Sequence, residues 1–331
     1  IVRGIQTKVF ARKNCIASSE SALMKLAKEF ETPIQIREFL FIQNLLPPSK
    51  NCPKCENPMT LNYSRKAVIG DFRCQKVRQH SDGKAVCISQ ADETWFMGSH
   101  LAVEKVLILT YAFAHKFSYE QAINECNISD SDTTISRETV SNWYSYCREI
   151  CVIALDREYA NQGKIGGDGH LEEIDEMKLG RRKYHRGRVV EGSWIFGLID
   201  RDTKDFRLEI CQANKRDEKT LLKLIQKHVE KGTEINSDCW GGYINLDKHG
   251  YPHNTVNHTK TFVADDYTHT NTIESQWRPL RKRLARGGIR KDALADHLCE
   301  FLWHRERHKN NKDPFLSLLK TISEVTHNPP A

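Results

Sequence analysis

No apolar run in this 331-residue chain approaches the roughly 18 to 20 residues that a membrane-spanning helix requires. The N-terminal stretch has neither the apolar core of a secretory signal nor the clear character of a transit peptide. It begins at Ile1 rather than at methionine, which leads us to expect a truncated start. A GxGxxG loop after a strand is also missing. Gly163 to Gly169 is glycine-rich, but its glycines do not take that spacing, which argues against a dinucleotide loop there. Cysteine is too sparse for a disulfide-dense secreted scaffold. The eleven cysteines are odd in number and fit reduced thiols in a cytosolic or nuclear protein, some of them available to a metal.

What the chain does have is charge, and the positive charge is clustered. The composition is 39% hydrophobic and 28% charged, which suits a soluble folded protein, and the net charge is +7. One basic run holds Arg181, Arg182, Lys183, Arg186 and Arg188; another extends from Arg278 to Lys291. Clusters of this kind are the electrostatic footprint of a nucleic-acid partner, although an ordinary solvated surface gives the same pattern. The length fits two domains with a small accessory module.

In chain order, Ser18 to Leu46 reads as helical, interrupted at Pro33 and stopped at Pro47-Pro48. Cys52-Pro53-Lys54-Cys55 follows, and two thiolates so spaced in a tight turn can reach one tetrahedral zinc ion. Cys74 falls where a second pair of ligands should begin, but its expected partner position is Val77. The fourth ligand is then His80 or Cys87, and we take Cys52, Cys55, Cys74 and His80 as the candidate structural zinc set. Next come three helices: one from Val103, one capped by Ser118 with Gln121, and one capped by Ser136. The last two read as a helix-turn-helix in which Arg137, Ser141 and Asn142 face base edges, with a plain helical bundle as the bland alternative.

Beyond the glycine-rich hinge the order is three strands (Leu171 to Met177, Ser193 to Asp200, Phe206 to Ala213), then a helix over Asp217 to Lys231. A short strand over Glu234 to Cys239, a short helix over Tyr243 to Lys248 and a strand over His253 to Asn257 follow. The last helix starts at Thr270 or Asn271, with Ile273, Trp277, Leu280 and Leu284 on its apolar stripe. This order predicts an α/β domain with a mixed sheet flanked by helices. Asp175, Asp238 and Glu274 stand on three separate elements. Three such oxygen ligands can enclose two Mg²⁺ (or Mn²⁺) ions beside a phosphate backbone. Glu172, Glu173, Glu176 and Asp200 are decoys for the same role, and for Glu274 a plain surface pair with Arg278 is the bland reading.

Glu173-Ile174-Asp175-Glu176, the Arg181 to Arg188 run, Ser237-Asp238-Cys239-Trp240, Val256-Asn257-His258 and His269 to Trp277 together resemble the Merlin superfamily of DDE transposases and their bacterial insertion-sequence relatives. The resemblance runs from about Cys52 to Arg307. It implies a ribonuclease-H-like catalytic domain with Asp175, Asp238 and Glu274 as the acidic triad, the last two 36 positions apart as in the family. It implies a zinc-ribbon-like module and a helix-turn-helix ahead of that domain. Val77 departs from the usual ribbon cysteine, and Glu172 stands where an apolar strand residue is usual.

The resemblance further implies an Mg-dependent enzyme that cuts transposon ends and joins them to target DNA. Its partners would be terminal inverted repeats and target DNA, with a homo-oligomer to synapse two ends and no membrane. Arg278, Arg281 and Lys282, with Arg181, Arg182, Lys183, Arg186 and Arg188, would contact DNA, and His258 and His269 would position phosphate or water or be structural. The expected division is an N-terminal arm (1–50), a zinc-ribbon-like module (51–100), a helix-turn-helix region (101–162), the catalytic domain (163–310) and a tail (311–331). The expected location is the nucleus of a eukaryote, or the cytoplasm and nucleoid of a bacterium. The competing reading is a domesticated DNA-binding protein that no longer cuts.

Overall fold

A computed structural model describes residues 30–64, 67–127, 134–180, 192–256, 269–284 and 289–327. The chain divides into two compact units, Ile1–Ile108 and Leu109–Ala331.

In the first unit, α1 (Pro33–Ile42) begins at the proline that the sequence led us to read as an interruption. Pro33 sits in the first turn, where its missing N–H leaves no bond unmade, and the Thr32 side chain caps the helix by accepting from Gln35 N at 3.3 Å. The expected earlier part of that helix, before residue 30, lies outside the described residues. Three short strands, β1 (Thr60–Asn62), β2 (Asp71–Arg73) and β3 (Cys87–Ser89), form an antiparallel sheet with Phe72 opposite Leu61 and Ile88. Phe72 is fully buried against Cys52, Met59 and Cys74, while its neighbours Asp71 and Arg73 are exposed. That alternation is what a strand with one covered face requires.

Helix α2 (Val103–Ala114) carries the chain into the second unit, and α3 (Tyr119–Asn127) and α4 (Arg137–Gln162) follow. The expected caps are present. Ser118 and Gln121 exchange side-chain to backbone bonds at 2.8 and 3.2 Å, and Ser136 Oγ accepts from Thr139 N at 3.1 Å. Gly163, at φ +70°, ends α4.

The sheet of the second unit holds β4 (Leu171–Leu179), β5 (Ser193–Asp200), β6 (Phe206–Ile210), β7 (Glu234–Asp238) and β8 (His253–Val256) in the order β6-β5-β4-β7-β8. β4, β5 and β6 pair antiparallel, and β7 and β8 add parallel to β4. This is the mixed sheet that the order of elements leads us to expect. Strand β6 is shorter than expected: after Ile210 the chain turns into a 3₁₀ segment, Gln212–Asn214, where Asn214 Oδ1 accepts from Trp194 N at 2.8 Å. The expected helix over Tyr243 to Lys248 is two 3₁₀ turns, Gly241–Tyr243 and Asp247–His249.

Each face of the sheet is covered. Ile174, Phe196, Leu198 and Ile235 pack with Leu221 and Ile225 of α5 (Glu218–His228) and with Tyr243. On the opposite face lies α6 (Asn271–Leu284), its stripe Ile273, Trp277, Leu280 and Leu284 all buried. Gly197, paired with Asp175, makes this possible: a Cβ there would meet the Trp277 ring at 2.4 Å. Two further helices, α7 (Leu294–Lys309) and α8 (Pro314–His327), complete the unit. Residues 314–327, expected as part of a tail, bury Phe315, Leu318, Leu319, Ile322 and Val325. Arg157 on α4 donates to the Glu324 carbonyl at 3.3 Å, tying that helix to the unit.

Candidate active site

The parallel pairing of β4 with β7 sets Glu173 opposite Asn236. Two residues further along each strand, just past the end of that ladder, come Asp175 and Asp238. Side chains alternate along a strand, so all four residues belong to one face, and adjacent strands run about 4.8 Å apart. Glu274, in the first turn of α6, is the third acid over that face. The Asp175 carboxylate is held by the Trp277 indole N–H at 2.7 Å and by Glu176 N at 2.7 Å. Burial pushes its carboxyl up to about 6, with the charges of Asp238 and Glu274 adding to the rise against those two donors. Asp238 accepts from Trp240 N at 3.0 Å, and Glu274 accepts from the Thr270 hydroxyl at 2.9 Å.

The three carboxylates thus act on one another without closing into a tight cluster. Among the described residues, two other groups bring three or more ligand atoms within 4.8 Å of one another, and this trio does not. Bare carboxylates repel, and ligands shared by two ions roughly 3.5–4 Å apart are spread more widely than ligands of one. An all-oxygen donor set of this charge suits Mg²⁺ or Mn²⁺.

The residue that anchors α6 over this face is Glu173, which the sequence offered only as a decoy. Fully buried, it accepts from Thr272 N at 2.8 Å and Ile273 N at 3.0 Å, two unpaired donors of the helix's first turn. Arg201 Nε donates to its other oxygen at 2.9 Å, and Arg201 Nη2 lies 2.7 Å from His269 Nδ1. His269 is therefore built into the anchor, its carbonyl taking a further bond from Arg201 at 3.2 Å. His258 lies outside the described residues. On the other face of β4, Glu176 bonds the Tyr243 hydroxyl and lies 3.6 Å from Arg216. Burial pushes its carboxyl up to about 7, the Tyr243 bond opposing and the charges of Asp175 and Asp238 adding.

Arg278, Arg281 and Lys282 are exposed on α6, with Arg281 Nε 3.0 Å from Met177 Sδ. Arg181, Arg182, Lys183, Arg186 and Arg188 lie outside the described residues. At the head of α4, Arg137 is paired with Glu120 and lies over the Tyr119 ring; Asn142 is exposed and Ser141 half-buried.

In the first unit, Cys52, Cys55, Cys74 and His80 bring their ligand atoms within 4.8 Å of one another. His80 Nε2 is 3.3 Å from both Cys52 Sγ and Cys74 Sγ, and Cys55 Sγ is 3.6 Å from Cys74 Sγ. Those separations suit the edges of a tetrahedron with metal–sulfur bonds of about 2.3 Å. His80 Nδ1 is 2.6 Å from the Lys84 carbonyl, which turns Nε2 toward the thiols, as second-layer carbonyls do for zinc histidines. Hydrogen bonds from Asn57 lower the Cys55 thiol to about 6, favouring the thiolate that a metal needs. Of the two open choices for the fourth ligand, the geometry selects His80; Cys87 is exposed on β3.

Residues 162–306 match the family described as the ISXO2-like transposase domain. No curated protein matches the chain. Similar solved structures include the catalytic core domain of BIV integrase, at 16% identity over 48% of this chain and 97% of that one, with a TM-score of 0.29. A pre-cleavage Mos1 transpososome is similar at 8% identity over 69% of this chain and 98% of that one, TM-score 0.25. The Mos1 strand transfer complex gives 8% identity, 69% and 97% coverage, and 0.25.

Proposed function

We propose that this chain is a DDE transposase of the Merlin type, cutting transposon ends and joining them to target DNA. One observation carries the proposal: Asp175 and Asp238 share a sheet face, and Asp175 feels the charge of both Asp238 and Glu274. The family match over residues 162–306 supports it. Asp175, Asp238 and Glu274 would hold a pair of Mg²⁺ or Mn²⁺ ions, which when bound activate the attacking oxygen and offset charge on the departing one. The chain's own part is positioning. Trp277 and the Glu176 amide fix Asp175, Thr270 orients Glu274, and Glu173 with Arg201 anchors the helix that delivers it.

Arg278, Arg281, Lys282 and the Arg181 to Arg188 run would neutralise backbone phosphates, making binding strongly salt-dependent. Arg137, Ser141 and Asn142 would read base edges of the terminal repeats. Cys52, Cys55, Cys74 and His80 would hold one structural zinc ion. Two ends must be brought together, so the working form would be a homo-oligomer, in the nucleus of a eukaryotic host or beside the bacterial nucleoid.

Asp238→Asn should leave binding to element ends intact and reduce Mg²⁺-dependent strand cleavage by more than about 100-fold. A donor-plasmid excision and integration assay reads the outcome. Products joined to target DNA in the wild type, absent in Asp238→Asn, support the transposase. Cleavage that survives the substitution removes Asp238 from the site, and gel shifts with no cleavage in the wild type mean a domesticated DNA-binding protein.

A further inference from the structure

We propose that His170, Asp200 and Asp202 form a second divalent-cation site, at the start of β4, with Glu172 lying beneath it. The three residues bring ligand atoms within 4.8 Å of one another, and His170 Nδ1 is 3.2 Å from Asp200 Oδ2. The turn after β5 is wound around Asp200. Its Oδ1 takes the N–H of Asp202 at 2.8 Å and of Thr203 at 2.7 Å, which leaves Oδ2 free to face His170 and folds Asp202 back beside it.

A cluster of acids alone would mean little, but Glu172 gives it a second support. Glu172 stands opposite Asp200 in the β4–β5 register, on the same face, and is fully buried. Neither of its carboxylate oxygens takes a bond from an N–H or hydroxyl donor, and the neighbouring side chain within bonding reach is another acid, Asp200. A buried carboxylate without a partner is costly, and native proteins rarely tolerate one unless an ion or proton accompanies it. The nearby cations make their hydrogen bonds elsewhere, although the charge of Arg207 acts on Glu172 and its buried Nε has no partner. Arg207 donates to the Gly163 carbonyl at 2.8 Å and to Asp205 at 3.3 Å, Arg305 to Gln276 and the Lys204 carbonyl, and Lys309 to the Thr203 carbonyl. The cluster opens into a cavity of about 310 Å³ bordered by His170, Asp200 and Asp205, with room for the waters that would complete an ion's shell.

One imidazole among carboxylates suits an intermediate ion such as Mn²⁺ better than Mg²⁺ or Ca²⁺, which favour oxygen alone. An ion here would join the residue before β4 to the turn after β5, fastening the strand pair that carries Asp175 at its middle. It would also add positive charge beside Glu172, where Arg207 already acts.

The test uses the full chain, loaded with one equivalent of zinc and carrying Asp175→Asn, Asp238→Asn and Glu274→Gln so that the candidate active site takes no ion. Titration with Mn²⁺, followed by electron paramagnetic resonance, should find one ion still bound per chain, with pulsed spectra showing coupling to an imidazole nitrogen. Adding His170→Ala should remove that coupling. Adding Asp202→Asn, at an exposed position that should not disturb folding, should weaken the ion at least about tenfold, comparable to or larger than a lost second-layer contact. If the triple variant binds no Mn²⁺, or if neither addition changes the affinity, the site does not exist. Glu172 is then a protonated acid sharing its hydrogen with Asp200.

Discussion

Two buried acidic centres in the second unit are built on opposite plans. Around Glu300, 1% exposed, the chain supplies basic side chains from three helices: Arg148 of α4 at 2.9 Å, Arg283 of α6 and His297 of α7 at 3.5 Å. Burial alone would push that carboxyl up, but these three neighbours outweigh it and hold it far below the usual range. Around Asp175 the chain supplies neutral N–H donors and two more acids, and the carboxyl rises instead. One centre is complete in itself and joins helices. The other is left short of positive charge, as a site must be if it is to receive cations from solution.

Removing the charge at each centre should therefore have opposite signs. The largest effect is expected at the complete one. Glu300→Ala leaves two half-buried arginines without their partner and should cost about 3 kcal/mol in chemical denaturation. A loss below 1 kcal/mol would erase the contrast. Glu173→Gln comes next, at about 2–3 kcal/mol, because the charged acceptor for Arg201 and two helix N–H groups is lost. Cleavage should fall as well, since the first turn bearing Glu274 is no longer anchored. Unchanged cleavage at equal folded fraction would make Glu173 purely structural.

The smallest effect is a gain. The folded carboxyl of Asp175, at about 6, lies above its ordinary 3.8. The stability it gives is thus whole below the ordinary value and lost as pH rises through about 6. In metal-free protein, Asp175→Asn should be about 1–3 kcal/mol more stable than wild type at pH 8, with the gain gone at pH 4. No gain at pH 8 would mean that Trp277 and the Glu176 amide already offset the burial. The Glu300 centre should behave in reverse, stabilising above the ordinary carboxylate range and weakening as pH falls.

What could be read from the sequence were features carried by neighbouring residues. The stripe of α6, the caps at Ser118 and Ser136, the apolar β5 and the short-range spacing of Cys52, Cys55, Cys74 and His80 all follow from local pattern. Pro33 marks the start of a helix as well as a break before it, and Thr32 ahead of it is the signal for that start. The partners of Glu173 and Trp277 were not legible in the sequence. Trp277 bonds Asp175 across 102 positions and Glu173 caps Ile273 across 100, and no periodicity encodes such meetings. Glu173 did leave one trace: an acid in the middle of a strand otherwise bound for the core needs a buried partner somewhere.

Gly197 deserves its place in the sheet for what it lets another residue do. Its bare backbone is the seat of the Trp277 ring, whose N–H steadies Asp175 on the neighbouring strand. Even a methyl group there would unseat the indole, so the steadiness of a candidate ligand depends on a residue with no side chain at all. A screen for lost activity would find this glycine among its hits, although it has no group with which to bind, donate or accept at the site.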